Sequence, residues 1–420
     1  MSSTTLPKET VQIIDKFDLF QLVHDRIKEI GIDESFFITD VGDVVKKFIL
    51  WKELFPRIEP DFAIKSNNLP VIASTLAALG AGFDCASHGE ITQVLEMGVE
   101  PEKIVFAQTV KPIYNIKLAK EKNVFKMTFD NENELYKVKE HFPEAHLLLR
   151  LGFSPKSSNK IAFGAKFGCS FETGKDLLKK AKELNLNVKG VAFHIGVGCE
   201  EYEIFRKAIE DSSKMFEYGK SLGFNMDVLD IGGGFPGHET KTIREVSKVI
   251  NESIEQNFPD PSVKIISEPG QFFATHSMTL VVNVHSKAVK LNENGEKIFH
   301  YYITDGIYQS FAMKGSGGNN PNPLVVKTLR DTSGDNLKKS VIWGRCCDPN
   351  DQVESEILLP ELKCGDWLVL EDFGAYRITT SSKFNGFPQH TVFNYIEKEM
   401  WDFFMKIKLS NIEVGYHIKK

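Results

Sequence analysis

A lysine closing an apolar run is the first chemically loaded position of this chain, in Phe62-Ala63-Ile64-Lys65. Such a lysine is ordinarily a snorkelling surface residue or half of an ion pair. Desolvated at a recessed site, its amine can instead form a Schiff base with an aldehyde. Glu268, in Ser267-Glu268-Pro269-Gly270, also reads two ways. It caps a neighbouring turn, or it keeps a pyridinium nitrogen protonated so that the ring draws electrons from a breaking bond. His194, in Val191-Ala192-Phe193-His194, is either a satisfied core histidine or a flat ring that stacks on a planar cofactor. The run Leu229-Asp230-Ile231-Gly232-Gly233-Gly234-Phe235-Pro236-Gly237 ends an apolar strand in three glycines. Missing side chains let backbone come close to a partner, and exposed N–H groups there cradle a phosphate, although glycine turns also serve plain chain reversal. Cys346-Cys347-Asp348 adds thiols and a carboxylate.

These residues need a scaffold that brings them together. Eight short apolar runs read as strands: Phe62–Lys65, Gly82–Ala86, Ile104–Gln108, Lys126–Phe129, Leu147–Leu151, Gly190–His194, Val228–Ile231 and Lys264–Glu268. Helical segments lie between them, including Asn131–Phe142 (with Asp130 as its expected N-cap), Glu172–Leu184, Tyr202–Leu222 and Lys241–Asn257. The alternation predicts an α/β chain built on a (β/α)8 TIM-like barrel. A doubly wound open sheet is the competing architecture. It would spread Lys65, His194, Gly232 and Glu268 along a crevice, whereas a barrel gathers its strand ends into one mouth. After Gly270 the pattern turns to strands with little helix, as in Leu280–Val284, Lys297–Ile303, Ser340–Trp343 and Trp367–Glu371. The expected division is a barrel over residues 40–280 and a mainly β domain from residues 1–39 and 281–420.

Composition narrows the functional classes. The chain has 420 residues, with 26% charged and 42% apolar, which suits a soluble globular protein. A net charge of −6, without any basic block, argues against nucleic acid. No apolar run has the length of a membrane span, and Met1-Ser2-Ser3-Thr4 is no signal-peptide core. Six cysteines without a CxxC pair make a zinc site or disulfide framework unexpected, so a cytoplasmic setting is the default and one thiol is free to react.

Taken together the motifs resemble the eukaryotic ornithine decarboxylase family, pyridoxal-phosphate enzymes with an alanine-racemase-like barrel. The resemblance runs from Phe62-Ala63-Ile64-Lys65-Ser66-Asn67 through Gly82-Phe83-Asp84-Cys85-Ala86-Ser87, His194-Ile195-Gly196, the glycine run and Ser267-Glu268-Pro269-Gly270. It continues through Trp343-Gly344-Arg345-Cys346-Cys347-Asp348 and Glu371-Asp372-Phe373-Gly374-Ala375-Tyr376 to Phe384-Asn385-Gly386-Phe387. The stretch Cys347–Asp351 looks more like the ornithine enzymes than like diaminopimelate decarboxylases. The resemblance implies that Lys65 carries pyridoxal 5'-phosphate as a Schiff base, that Glu268 faces the ring nitrogen and that His194 stacks on the ring. It implies a phosphate site at Gly232, Gly233, Gly234 and the Tyr376 hydroxyl, with Asp84 and Arg150 around the cofactor. It further implies a homodimer with shared sites, joined in part by Lys166 and Asp351. In that arrangement Asp348 meets the distal ammonium of ornithine and Cys347 controls protonation after carbon dioxide leaves. The implied activity is conversion of L-ornithine to putrescine in polyamine biosynthesis.

Three departures fall on functional positions. Where the family has serine after the stacking histidine this chain has Val197, and where it has arginine after Glu-Pro-Gly this chain has Gln271. A Tyr-Asp pair that grips the distal ammonium aligns with Ser316 and Gly317. Losing arginine and serine on one phosphate would weaken cofactor binding roughly a hundred- to a thousandfold. The departures predict a weak or altered decarboxylase. The alternative is a catalytically inactive regulator like the antizyme inhibitors, with Lys117–Glu144 aligned to the antizyme-contacting region; the plain reading of that segment is a solvated barrel face.

Overall fold

The computed structural model describes residues 9–31, 33–153, 166–196, 202–237, 240–315, 324–408 and 416–419. The chain begins with β1 (Glu9–Ile14), α1 (Leu19–Ile30), β2 (Phe36–Asp40) and α2 (Val41–Leu54). Eight parallel strands follow and close on themselves. They are β3 (Ile58–Ala63), β4 (Gly82–Cys85), β5 (Ile104–Phe106), β6 (Lys126–Phe129), β7 (His146–Leu151), β8 (Asn187–Phe193), β9 (Val228–Asp230) and β10 (Lys264–Ser267). Between them run α3 (Pro70–Ala78), α4 (His88–Glu96), α5 (Ile113–Glu121), α6 (Glu132–His141), α7 (Phe171–Glu183), α8 (Glu203–Ser221) and α9 (Thr240–Asn257), and the short α10 (Gln271–Ala274) follows β10. This is the (β/α)8 barrel the alternation predicts.

Strand parity decides what fills it. Successive side chains point to opposite faces, and Val105, Ala107, Leu148, Ala192, Val228 and Ile266 form a small apolar plug of their own. Below it Asp61 lies over Gly82, where a Cβ would come within 2.0 Å of its carboxylate. Burial pushes Asp61 up to about 6, against the pull of Lys126 and Lys264. Above the plug the same inward faces carry the polar groups described below.

Two local expectations need correction. Lys65 does not end β3. That strand stops at Ala63, and Ile64–Ser66 form one 3-10 turn closed by Asn67 N–H to the Ile64 carbonyl at 3.1 Å. The apolar run hid the true start, because Glu59, Pro60 and Asp61 are strand residues of poor strand type. The N-cap of α6 is Asn131, which accepts from Glu134 N–H at 3.1 Å, and not Asp130. The Asp130 carboxylate instead accepts from Gly168 N–H at 2.8 Å.

The remaining chain is mainly β: β11 (Met278–Leu291), β12 (Lys297–Ile303), α11 (Ala312–Gly315), β13 (Lys327–Thr328), β14 (Lys338–Trp343), β15 (Gln352–Leu359), β16 (Trp367–Leu370), β17 (Thr391–Glu397), α12 (Lys398–Ile407) and β18 (Tyr416–Lys419). They form a sheet in the order β15-β14-β12-β11-β2-β17-β1-β18, so both ends of the described chain share it. The loop after β16 reaches the barrel mouth. Gly374 accepts from Asn67 Nδ2 at 2.8 Å, and Tyr376 N–H donates to the Ser66 carbonyl at 2.7 Å.

Candidate active site

The turn after β3 delivers Lys65 to the C-terminal end of the barrel. Its ammonium forms an ion pair with Asp84, which the last residues of β4 hold fully buried. The Lys65 side chain is 40% exposed, so it lines an open mouth, not the protein core. Burial pulls its proton affinity down, but Asp84, Glu268 and the Tyr376 hydroxyl together hold it above the usual lysine range. Desolvation therefore does not free this amine by itself; the carboxylates around it win. Asp84 Oδ1 is buried without a hydrogen-bond partner, a polar atom left over for something the mouth admits.

Glu268 follows β10, and its N–H donates to the Gly232 carbonyl at 2.8 Å. Burial, Asp230 and Asp84 push its carboxyl well above the ordinary range, while Lys65 and Arg150 pull the other way. His194 follows β8. Its Nδ1 accepts from Gly196 N–H at 3.0 Å, which assigns the ring proton to Nε2. Burial, Arg150 and Lys65 depress the ring to about 3, so it is a neutral flat surface at ordinary pH.

The three glycines are explained by the chain's own backbone. Gly232 and Gly234 have φ of 66° and 95°, in the left-handed region. A Cβ on Gly232 would lie 2.2 Å from the Phe193 carbonyl and one on Gly234 2.1 Å from that of Gly196. On Gly233 it would lie 2.4 Å from the Glu268 carbonyl and 3.2 Å from His194 Nε2. The run thus laces the ends of β8, β9 and β10 together beside the histidine and the carboxyl. Tyr376, half-buried, takes φ of 55° at the clasp to Ser66, and its hydroxyl lies within electrostatic reach of Lys65, Asp84 and Glu268. Arg150, late in β7, has its guanidinium 5.5 Å from the centre of the Phe167 ring and acts on His194 and Glu268.

The other expected residues stand elsewhere. Cys347 and Asp348 occupy an exposed loop after β14. Cys347 Sγ lies 3.6 Å from Asn385 Oδ1, and Asp348 accepts from the Tyr308 hydroxyl and from Asn350 N–H at 2.8 Å. Those hydrogen bonds hold the Asp348 carboxyl below the usual range. Asp351 is buried in its own chain, where it accepts from Ile307 N–H at 2.8 Å and Cys346 N–H at 3.0 Å. Lys166 is exposed beside Phe167. Gln271 begins α10, and its carbonyl would lie 2.4 Å from a Cβ on Gly237, so this departure adjoins the glycine run. Val197, Ser316 and Gly317 lie outside the described residues.

Two site residues escaped the sequence reading. Asp230 is buried between Gly232 and Glu268, and Glu90 of α4 accepts from Ala86 N–H at 2.5 Å beside Asp84. The parity of β9 was the available signal, since Asp230 falls two residues after Val228 and so shares its inward face.

Pyridoxal phosphate is the group that the resemblance implies, and the residues present fit it. They offer a lysine amine, a buried carboxyl of high proton affinity for a ring nitrogen, a neutral flat histidine and an unpartnered Asp84 oxygen. Comparison with known proteins agrees. Residues 41–275 match the family model described as "Pyridoxal-dependent decarboxylase, pyridoxal binding domain". The chain is 37% identical over 424 aligned residues to an ornithine decarboxylase of Mus pahari, covering 97% of this chain and 91% of that protein. It is 39% identical to antizyme inhibitor 2 of Xenopus laevis, covering 91% of this chain and 86% of that one. Among solved structures, the arginine decarboxylase of Paramecium bursaria Chlorella virus, bound to agmatine, superimposes with a TM-score of 0.83 at 32% identity. That match covers 90% of this chain and all of the viral one.

Proposed function

This chain belongs to the family of pyridoxal-dependent decarboxylases, and from that premise we propose that it decarboxylates L-ornithine to putrescine. The observation that carries the reading is the convergence of Lys65, Asp84, His194, Glu268 and Tyr376 on one barrel mouth beside the glycine run. When bound, pyridoxal phosphate supplies an electron sink for the pair left behind as carbon dioxide departs.

The chain's own groups do the rest. Lys65 tethers the cofactor, and Asp84 balances positive charge at the Lys65 nitrogen. Glu268 takes the ring nitrogen, and neutral His194 offers its face without adding charge that would oppose the withdrawal of electrons. Gly233 and Gly234 offer backbone N–H groups to the phosphate, beside Gly232, whose own N–H is taken by Asp230, with the Tyr376 hydroxyl and Arg150 near by. In a homodimer, Cys347 and Asp348 of a second copy complete the mouth. Asp348, kept anionic by its hydrogen bonds from Tyr308 and Asn350, takes the distal ammonium, and Cys347 moves a proton at the α-carbon. Lys166 and Asp351 belong to the same subunit contact. A cytoplasmic site of action accords with the five free cysteines among the described residues.

Gln271 favours a second reading, since the residue whose backbone adjoins the end of the glycine run is neutral where the family has a cation. That reading is an inactive regulator that occupies antizyme, as the likeness to antizyme inhibitor 2 suggests. The test is an absorbance titration of the full-length protein with pyridoxal phosphate, followed by release of labelled carbon dioxide from ornithine, lysine and arginine. Decarboxylation requires a Schiff-base band that disappears in Lys65→Ala, with ornithine as the preferred substrate. No band at saturating cofactor, or a band without carbon dioxide release, overturns the enzyme reading.

A further inference from the structure

Asp230 has no part in the mechanism above, yet it is buried directly beside the carboxyl that does. In β9, Val228 and Asp230 share the inward face, and Asp230 is in register with Ile266 of the neighbouring strand, two residues before Glu268. Asp230 Oδ1 accepts from Gly232 N–H at 2.9 Å. Its Oδ2 is buried and meets no N–H or O–H donor of the described residues. The polar group it faces is the Glu268 carboxyl.

Two adjacent carboxylates in a dry site repel one another, and burial penalises each charge separately. Asp61 of β3 and Asp84 of β4 add further negative charge around Asp230, and Lys126 of β6 acts on it from below. Lys65, Arg150 and Tyr376 face Glu268 from above. Burial pushes Asp230 up to about 7, and it pushes Glu268 well above its ordinary range. A single proton held between the two carboxyls relieves the repulsion and supplies the donor that Asp230 Oδ2 lacks.

We propose that Asp230 is a positioning residue, which shares one proton with Glu268 and so fixes that carboxyl with one oxygen turned back to Asp230 and the other left for the cofactor's ring nitrogen. The inference deepens the reading proposed above and rests on it for the cofactor. The pair carries one net negative charge throughout: without cofactor the Glu268 hydroxyl donates to Asp230 Oδ2, and with the ring nitrogen bound the proton would lie on Asp230 and the charge on Glu268. The bland role for Asp230 is a cap on the Gly232 turn, which needs only Oδ1 and no shared proton.

The test is pH-difference infrared spectroscopy of the full-length protein without cofactor, with the carboxyl carbons of Asp or Glu labelled. A shared proton gives a protonated-carboxyl band that titrates near neutral pH and responds to both labels. Asp230→Asn and Glu268→Gln each remove it, although Asp230→Asn keeps the acceptor for Gly232 N–H. With pyridoxal phosphate added, Asp230→Ala binds about tenfold more weakly, whereas Asp230→Asn, whose amide still donates to Glu268, binds close to wild type. No such band in the wild type, its survival in Glu268→Gln, or wild-type affinity in Asp230→Ala overturns the inference. The labelled wild-type spectrum decides even where a variant does not fold. Absence of cofactor absorbance is a separate result, which sinks the proposed function and not the shared proton.

Discussion

The barrel mouth and the Cys347–Asp348 loop are built on opposite terms. At the mouth the ionisable groups are already packed together: Lys65 pairs with a fully buried Asp84, Glu268 lies against Asp230, and His194 Nδ1 accepts from Gly196 N–H. Their proton affinities are shifted by desolvation and by one another. In the loop, Asp348 is half-buried and is held low chiefly by the hydrogen bonds it accepts from Tyr308 and Asn350, against a smaller effect of burial, and Cys347 is exposed. A preassembled electrostatic site belongs with a resident cofactor, because fixed dipoles need no reorganisation when charge moves. On the proposed function, the acid and thiol of the loop are what a second copy of the chain supplies to this mouth. The difference then separates the part of the proposed site that one chain assembles from the part that a partner brings.

The largest effect tests the mouth. Lys65→Ala is expected to abolish both cofactor absorbance and decarboxylation, checked by spectrum and carbon dioxide release. Gly233→Ala probes how tightly the mouth is packed. Its Cβ meets the Glu268 carbonyl at 2.4 Å, so thermal unfolding should show a loss of about 1–3 kcal/mol together with weaker cofactor binding. Gln271→Arg should tighten cofactor binding by about ten- to a hundredfold if the new cation meets the phosphate, as read by fluorescence titration. An unchanged Kd would remove position 271 from the phosphate site. Asp348→Asn sharpens the contrast from the other side, with KM for ornithine raised about tenfold and cofactor binding unaltered. A change in the cofactor spectrum would show that the two regions are not separable.

The smallest effect is a pH dependence. His194 has a folded value of about 3, below its unfolded value of 6.5, so the unfolded chain binds more protons between them. Its contribution to stability is complete above pH 6.5 and is lost as pH falls from there towards 3. In the cofactor-free protein, His194→Gln should therefore flatten the fall in Tm over that window relative to wild type.

Much of this was legible in the chain. Apolar runs at β/α spacing mark all eight barrel strands, because strands buried on both faces are mostly apolar and their few inward acids fall singly among apolar residues. The Lys65 turn was not legible, since Glu59-Pro60-Asp61 reads as a break and not as a strand whose Asp61 faces a charged barrel floor. Asp130 and Asn131 are both good caps by type, and only the tertiary bond from Gly168 to Asp130 decides between them. The pairing of β1 and β2 with β17 joins residues 383 and 355 positions apart, beyond the reach of any local pattern. Asp230 was visible as a letter, but its chemistry exists only because the adjacent strand sets Glu268 next to it.

The most direct test of the central claim is to reduce the complex of full-length protein and pyridoxal phosphate with borohydride and map the labelled peptide by mass spectrometry. The account predicts a pyridoxyl group on Lys65 and on no other lysine. A label confined to surface lysines, or no label at saturating cofactor, would contradict it.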